Sequence, residues 1–151
     1  MNVSYAQVAV FNHSLEQPFN AWTKKHVQQG FAWRPESVSF RTIEEAGLHS
    51  VDVIISSKDV RLSPGAVRII QVPFKILPPG DIEIASISDA AALSFPEGIY
   101  NLRFECFAPS GNIGPNIRLV FSNTNSPSFN IYRADADISL VDDLLLTADP
   151  A

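Results

Sequence analysis

The side chains able to do chemistry are few, and their spacing works against catalysis. The three histidines, His13, His26 and His49, lie in separate segments, with neither an HxH nor an HExxH interval and no flanking cysteine. They do not form a metal-ligand set. The single cysteine, Cys106, has no partner for a disulfide or a thiolate pair. It alternates with Phe104 inside an apolar run and reads as a buried small hydrophobe rather than a nucleophile. No serine sits in GxSxG, and the glycines form neither GxGxxG nor GxxxxGK; Gly111-Asn112-Ile113-Gly114 is a turn followed by Pro115. Paired carboxylates occur at Glu44-Glu45 and Asp142-Asp143, but adjacent acids point in different directions, unlike the convergent pair that acid–base chemistry requires. Asp135 and Asp137 would share a strand face, without calcium-loop spacing around them. The sequence reads as non-enzymatic, with no cofactor and no resident metal.

What stands out is the placement of charge. All 11 basic residues lie between Met1 and Arg133, where the acidic residues cancel them. The formal net charge of −5 therefore falls to five aspartates after Arg133: Asp135, Asp137, Asp142, Asp143 and Asp149. A chain without a basic patch is a poor ligand for nucleic acid, because phosphate contacts need clustered Lys and Arg. A clustered negative field instead steers encounter with a basic protein surface. Among proteins with cationic clefts, nucleases are the natural targets, since carboxylates can occupy positions meant for phosphates. The alternative for such a charge is solubility alone.

The elements that must position these residues are mostly strands. Runs with period-two or β-branched character cover residues 4–11, 37–41, 50–57, 66–74, 82–87, 99–107, 117–122 and 128–133. In 99–107, charged and polar residues alternate with Tyr100, Leu102, Phe104 and Cys106, which predicts a strand wet on one face. Pro73 marks an edge or a strand terminus. Pro-before-Gly turns at Leu77-Pro78-Pro79-Gly80-Asp81 and Phe95-Pro96-Glu97-Gly98 separate the runs. The expectation is a mainly β fold, an antiparallel β-sandwich, with one short α-helix near the N-terminus. That helix is read over residues 18–30, Pro18 at its first position and Gly30 after its last turn, with Phe19, Trp22, His26 and Gln29 on one face. Residues 1–151 read as one domain, with 134–151 an acidic tail that adds a last strand and a short helix over 140–147 or frays. Ser139 and Asp142 have capping-box spacing for that helix. No apolar run approaches a membrane span and no signal-peptide pattern opens the chain, so a cytoplasmic protein is expected.

These segments resemble a known family. Ser4-Tyr5-Ala6-Gln7-Val8-Ala9-Val10-Phe11, then Pro18 to Trp22-Thr23, Gly30-Phe31-Ala32 and Ser37-Val38-Ser39-Phe40 are similar to the opening of the competence protein J family. Val72-Pro73-Phe74, Ile84-Ala85-Ser86-Ile87 and the stretch from Leu93 to Leu102 continue the likeness in the same order. It spans roughly residues 4–108, and the stretch after Pro109 departs from it. The resemblance implies a non-enzymatic inhibitor that binds and silences a bacterial DNA-degrading nuclease, in competence or as an immunity-type protein. It brings no motif of inhibitory residues. Charge makes Asp135, Asp137, Asp142 and Asp143 the candidate nuclease-binding residues, beside a hydrophobic anchor that the sequence does not identify. The alternative is a carbohydrate-type ligand-binding sandwich using Trp22, Phe31 or Trp33 as a stacking surface. A third reading is a homo-oligomer pairing through an edge strand near Pro73.

Overall fold

The computed structural model describes residues 1–109, 116–140 and 143–151. In chain order the elements are β1 (Asn2–Val3), β2 (Gln7–Asn12), α1 (Lys24–Gln29), β3 (Phe31–Arg34), β4 (Ser37–Arg41), β5 (Gly47–Leu48) and β6 (Val51–Ser56). There follow β7 (Ala66–Ile76), β8 (Asp81–Ala85), β9 (Ala90–Ser94), β10 (Gly98–Phe107), β11 (Ile117–Asn123) and β12 (Asn130–Arg133). Two five-stranded sheets form, ordered β12-β7-β10-β11-β6 and β3-β4-β2-β8-β9, and β1 pairs with β5 beside them. The mainly β sandwich is as expected. One neighbour pair differs, because β6 runs parallel to β11.

Period-two alternation builds the core. Val8 and Val10 of β2, Val38 and Phe40 of β4, and Ile82 and Ile84 of β8 meet Ile70, Val72 and Phe74 of β7, Leu102 and Phe104 of β10, and Leu119 and Phe121 of β11. Phe40 and Phe104 stack between the sheets at 4.8 Å, a contact worth about 0.5–1.5 kcal/mol beyond its buried area. The other face of β2 carries Ala9 and Phe11, which Phe19 and Leu15 cover in a smaller cluster. At the β7–β8 turn Gly80 (φ +101°) is required, since an added Cβ would sit 2.1 Å from the Phe95 carbonyl oxygen.

Several expectations are corrected. The helix does not begin at Pro18. Thr23 caps it, its hydroxyl receiving the His26 N–H while His26 Nδ1 receives the Thr23 N–H at 3.0 Å. Residues 18–22 are irregular, held by Arg34, which donates to the Gln17 carbonyl at 2.6 Å, and by Ser37, which donates to the Pro18 carbonyl. Gly30 ends the helix at φ +90°, as expected. The charged face of β10 is not wet: Arg103 and Glu105 are buried beneath residues 60–63. Strand β7 runs three residues past Pro73, whose absent N–H lies on the side away from β10. There Trp33 Nε1 donates to the Pro73 carbonyl at 2.6 Å and Lys75 N–H to the Pro35 carbonyl at 3.0 Å. That edge is already filled and offers nothing to a second copy.

The tail does not form the expected helix. Leu140 and residues 143–147 are irregular, and the proposed capping partner Asp142 lies outside the described residues. Residues 143–151 instead run back over α1 as a strap. Leu145 N–H donates to Gln29 Oε1 at 2.8 Å, and Gln29 Nε2 returns a bond to the Leu145 carbonyl at 2.9 Å. His26 Nε2 lies 2.9 Å from the Thr147 carbonyl, and Ala21 N–H donates to the Asp149 carbonyl at 2.8 Å. The helical residues His26 and Gln29 are thus buried by the tail. Pairing their polar ends removes the cost of burying them.

Candidate functional site

Where β1 turns into β2, two consecutive non-glycine residues, Tyr5 (φ +56°) and Ala6 (φ +53°), occupy the left-handed region. Each such residue costs on the order of 1–3 kcal/mol and persists only where its surroundings hold it. Here Ala6 N–H donates to the Glu45 carbonyl at 2.7 Å, and the Ala6 carbonyl receives Thr42 N–H at 2.9 Å. The result is to present the Tyr5 ring to solvent, 76 % exposed.

Tyr5 lines one wall of an open cavity of about 320 Å³, completed by Ala6, Gln7, Trp22, Val27 and Arg41. Each wall is fixed from below. Trp22 Nε1 donates to Gln7 Oε1 at 2.7 Å, and its ring meets His26 edge-on at 6.4 Å. Val27, on the outer face of α1, is 41 % exposed. Arg41 Nη1 donates to the carbonyls of Val27 (3.3 Å) and Asp137 (3.1 Å), tying helix, β4 and tail together at the rim. Tyrosine, tryptophan and arginine around an apolar depression are the residue types that dominate binding energy at protein interfaces.

The tail aspartates divide into different roles. The guanidinium of Arg68 is fully buried, and it donates Nε and Nη2 to the Asp135 carboxylate at 2.7 and 2.8 Å and Nη1 to the Arg41 carbonyl at 2.6 Å. Partial burial acts to raise the Asp135 carboxyl, but the hydrogen bond and charge of Arg68, helped by Arg41, outweigh it and hold the group below the ordinary carboxylate value. Asp135 is therefore a neutralised anchor. Asp137 is 3.9 Å from Arg68 Nη2 and 55 % exposed, so its charge faces solvent beside the cavity. Asp143 is exposed, and Asp142 lies outside the described residues. The structure brings Asp135 and Asp137 together at Arg68 and sets Asp137 at the rim.

The apolar cavity beside Tyr5 is what sequence reasoning missed, because left-handed Tyr and Ala carry no glycine signal. Of the three aromatics considered for ligand stacking, Phe31 is fully buried. Trp33 packs against the core and meets Phe129 edge-on at 4.8 Å, whereas Trp22 lines the open cavity beside Tyr5. Cys106 is 2 % exposed, and burial pushes its thiol up against smaller opposing effects of the Ile43 backbone and Arg68. His13 sits 3.0 Å from Glu83 and His49 3.8 Å from Glu44. Among the described residues no three His, Cys, Asp or Glu side chains converge on a metal position.

The competence protein J family model matches residues 1–122, which leaves β12 and the acidic tail beyond it. Among solved structures, the chain is similar to ComJ from Bacillus subtilis, described as an inhibitor of the DNA-degrading activity of NucA. The TM-score is 0.67 at 19 % identity, covering 82 % of this chain and 92 % of that one. No curated protein sequence matches.

Proposed function

Since the chain belongs to the competence protein J family, we propose that it is a non-enzymatic inhibitor that binds a bacterial DNA-degrading nuclease and blocks its access to DNA. The observation that carries the location of the contact is the strained Tyr5–Ala6 turn. Backbone strain held by neighbouring hydrogen bonds is retained where it serves a purpose, and here it holds an exposed aromatic ring over an apolar cavity. Tyr5, Trp22 and Val27 supply the desolvated centre of the interface, and Arg41 braces its rim. Asp137, with Asp142 and Asp143, provides the negative field that draws a cationic DNA-binding surface, while Asp135 fixes the tail that carries them. Inhibition needs no chemistry from this chain, since occupying a cleft built for phosphate is sufficient.

The test is a titration of a DNA-degrading nuclease of the NucA type with this chain. Stoichiometric loss of DNase activity is expected with the intact protein, and Tyr5→Ala combined with Val27→Asp weakens it at least about 100-fold, as for loss of interface hot spots. Full DNase activity at molar excess of the intact protein refutes the function. Unchanged inhibition by the double variant refutes the location.

A further inference from the structure

The sandwich has four sheet edges, and three are blunted. At β3 the outward-facing Phe31 carbonyl receives Gln29 Nε2 at 2.9 Å. Strand β12 is four residues long with a register shift, and β6 carries an exposed charge at Asp52. The fourth edge, β9, has the sequence Ala-Ala-Ala-Leu-Ser, with no charge, proline or bulge. An unprotected edge of this kind templates the addition of another strand.

The pairing register says which groups are free. Phe95 N–H donates to the Gly80 carbonyl and Ser86 N–H to the Asp89 carbonyl, so the hydrogen-bonded pairs of β8 and β9 are Ile82–Leu93 and Ile84–Ala91. The N–H and C=O groups of Ala90, Ala92 and Ser94 therefore point outward, and among the described residues nothing is bonded to them. Beside this edge, between β9 and β6, lies an open cavity of about 310 Å³ lined by Val51, Val53, Ile84, Leu93 and Met1. It can receive the alternate side chains of an added strand. Main-chain bonds for affinity and a lateral pocket for side chains are the two parts of strand-addition recognition.

We infer that β9 takes up an extended Lys- or Arg-bearing segment of the nuclease as a sixth strand of its sheet, a reading that rests on the proposed inhibitory function. Charge selects this occupant. Exposed Asp89 precedes β9, Asp81 stands opposite its end bonded to Ser94 Oγ at 2.8 Å, and exposed Glu97 follows. The Met1 ammonium is turned to the His49 carbonyl. Pairing of two β9 strands about Ala92 would line up these carboxylates from both copies along one seam, which opposes self-association. A basic segment meets them with opposite charge.

Amide-resolved hydrogen exchange on the intact chain, free and saturated with the nuclease, tests this. The outward amides of Ala90, Ala92 and Ser94 are expected to slow by about tenfold or more in the complex, whereas Ala91 and Leu93, already bonded to β8, serve as internal controls. Ala92→Pro removes only an outward N–H, so the free protein keeps its melting temperature while inhibition weakens by about tenfold. Ala92→Lys keeps every backbone bond and weakens inhibition through like charge. Binding with unchanged exchange at the three outward amides, or with full potency in both variants, overturns the edge assignment and leaves the inhibitory function standing. Absence of any binding by the intact chain overturns both.

Discussion

Asp135→Asn and Asp137→Asn, one net charge each and two residues apart, are expected to fail in opposite ways. Arg68 is fully buried, and two of its three hydrogen bonds end on the Asp135 carboxylate. Asparagine keeps the shape but removes the countercharge and turns an N–H toward the guanidinium. Breaking a buried pair costs about 3–5 kcal/mol; Asp137 at 3.9 Å supplies part of the missing charge, which brings the expected loss to about 2–3 kcal/mol. Asp137→Asn removes an exposed, longer contact and should cost no more than about 0.5 kcal/mol. Association follows the reverse order. Removal of the Asp135 charge leaves Arg68 uncompensated but below the surface, so it slows association modestly, whereas loss of the solvent-facing Asp137 slows it several-fold at low salt and flattens the salt dependence.

Urea midpoints at equal slope give the stability arm, and stopped-flow mixing with the nuclease at two salt concentrations gives the kinetic arm. Acid provides an internal check. Because the folded Asp135 carboxyl is held below its ordinary value, its contribution is complete above about pH 4 and is lost as pH falls through the lowered value. The gap between the intact protein and Asp135→Asn should close there. An Asp135→Asn variant within 0.5 kcal/mol of the intact protein, as for an exposed pair, refutes the anchor. Equal slowing of association by both variants refutes the division of roles.

Two further perturbations probe the positioning of the cavity. Gly30→Ala places a Cβ 2.7 Å from Ile138 Cδ1 and 3.0 Å from Ile70 Cδ1 at φ +90°, for an expected loss of about 2–4 kcal/mol by thermal unfolding. Ile138→Ala in that background should recover part of it, and strict additivity of the two changes contradicts the contact. Ending the chain after residue 142 removes the strap, stranding the Gln29 amide and His26 Nε2, whose Thr147 partner is lost. About 3–5 kcal/mol should be lost, with a red shift of Trp22 emission, and a change below about 1 kcal/mol means the strap is dispensable.

The sandwich was legible because each long strand alternates strictly enough to bury one face, and Gly30 was legible because a left-handed helix end selects glycine. The helix start was not, because Phe19 and Trp22 have helical spacing relative to His26 yet lie on irregular backbone, Phe19 packed on Phe11 and Trp22 lining the open cavity; the Thr23–His26 capping box, with histidine at the usual place of glutamate, was the signal available. Arg103 and Glu105 looked solvent-facing because alternation reports which residues share a face, not what covers it. Glu105 receives the Ser63 hydroxyl at 2.5 Å and Arg103 Nε at 3.1 Å, from a loop more than forty positions upstream and from its own strand. Long-range coverage of that kind leaves no periodic trace.

The same limit applies to the acidic tail, and it changes what the charge means. A formal count treats Asp135 and Asp137 as equal, but interaction with a partner depends on charge that reaches solvent. Arg68 is one of the eleven cations that formally balance the body of the chain, yet it is paired with Asp135 of the tail. The body is therefore effectively more acidic than its sequence suggests, and the tail less. The negative field is shared among Asp137 at the cavity rim, the exposed Asp143 and Asp149 of the tail, and Asp81, Asp89 and Glu97 at the β9 edge, rather than gathered in the last residues alone. A cationic nuclease meeting this chain encounters two acidic borders, each beside an apolar cavity, and that arrangement suits a broad contact reaching from the strained turn to the open strand.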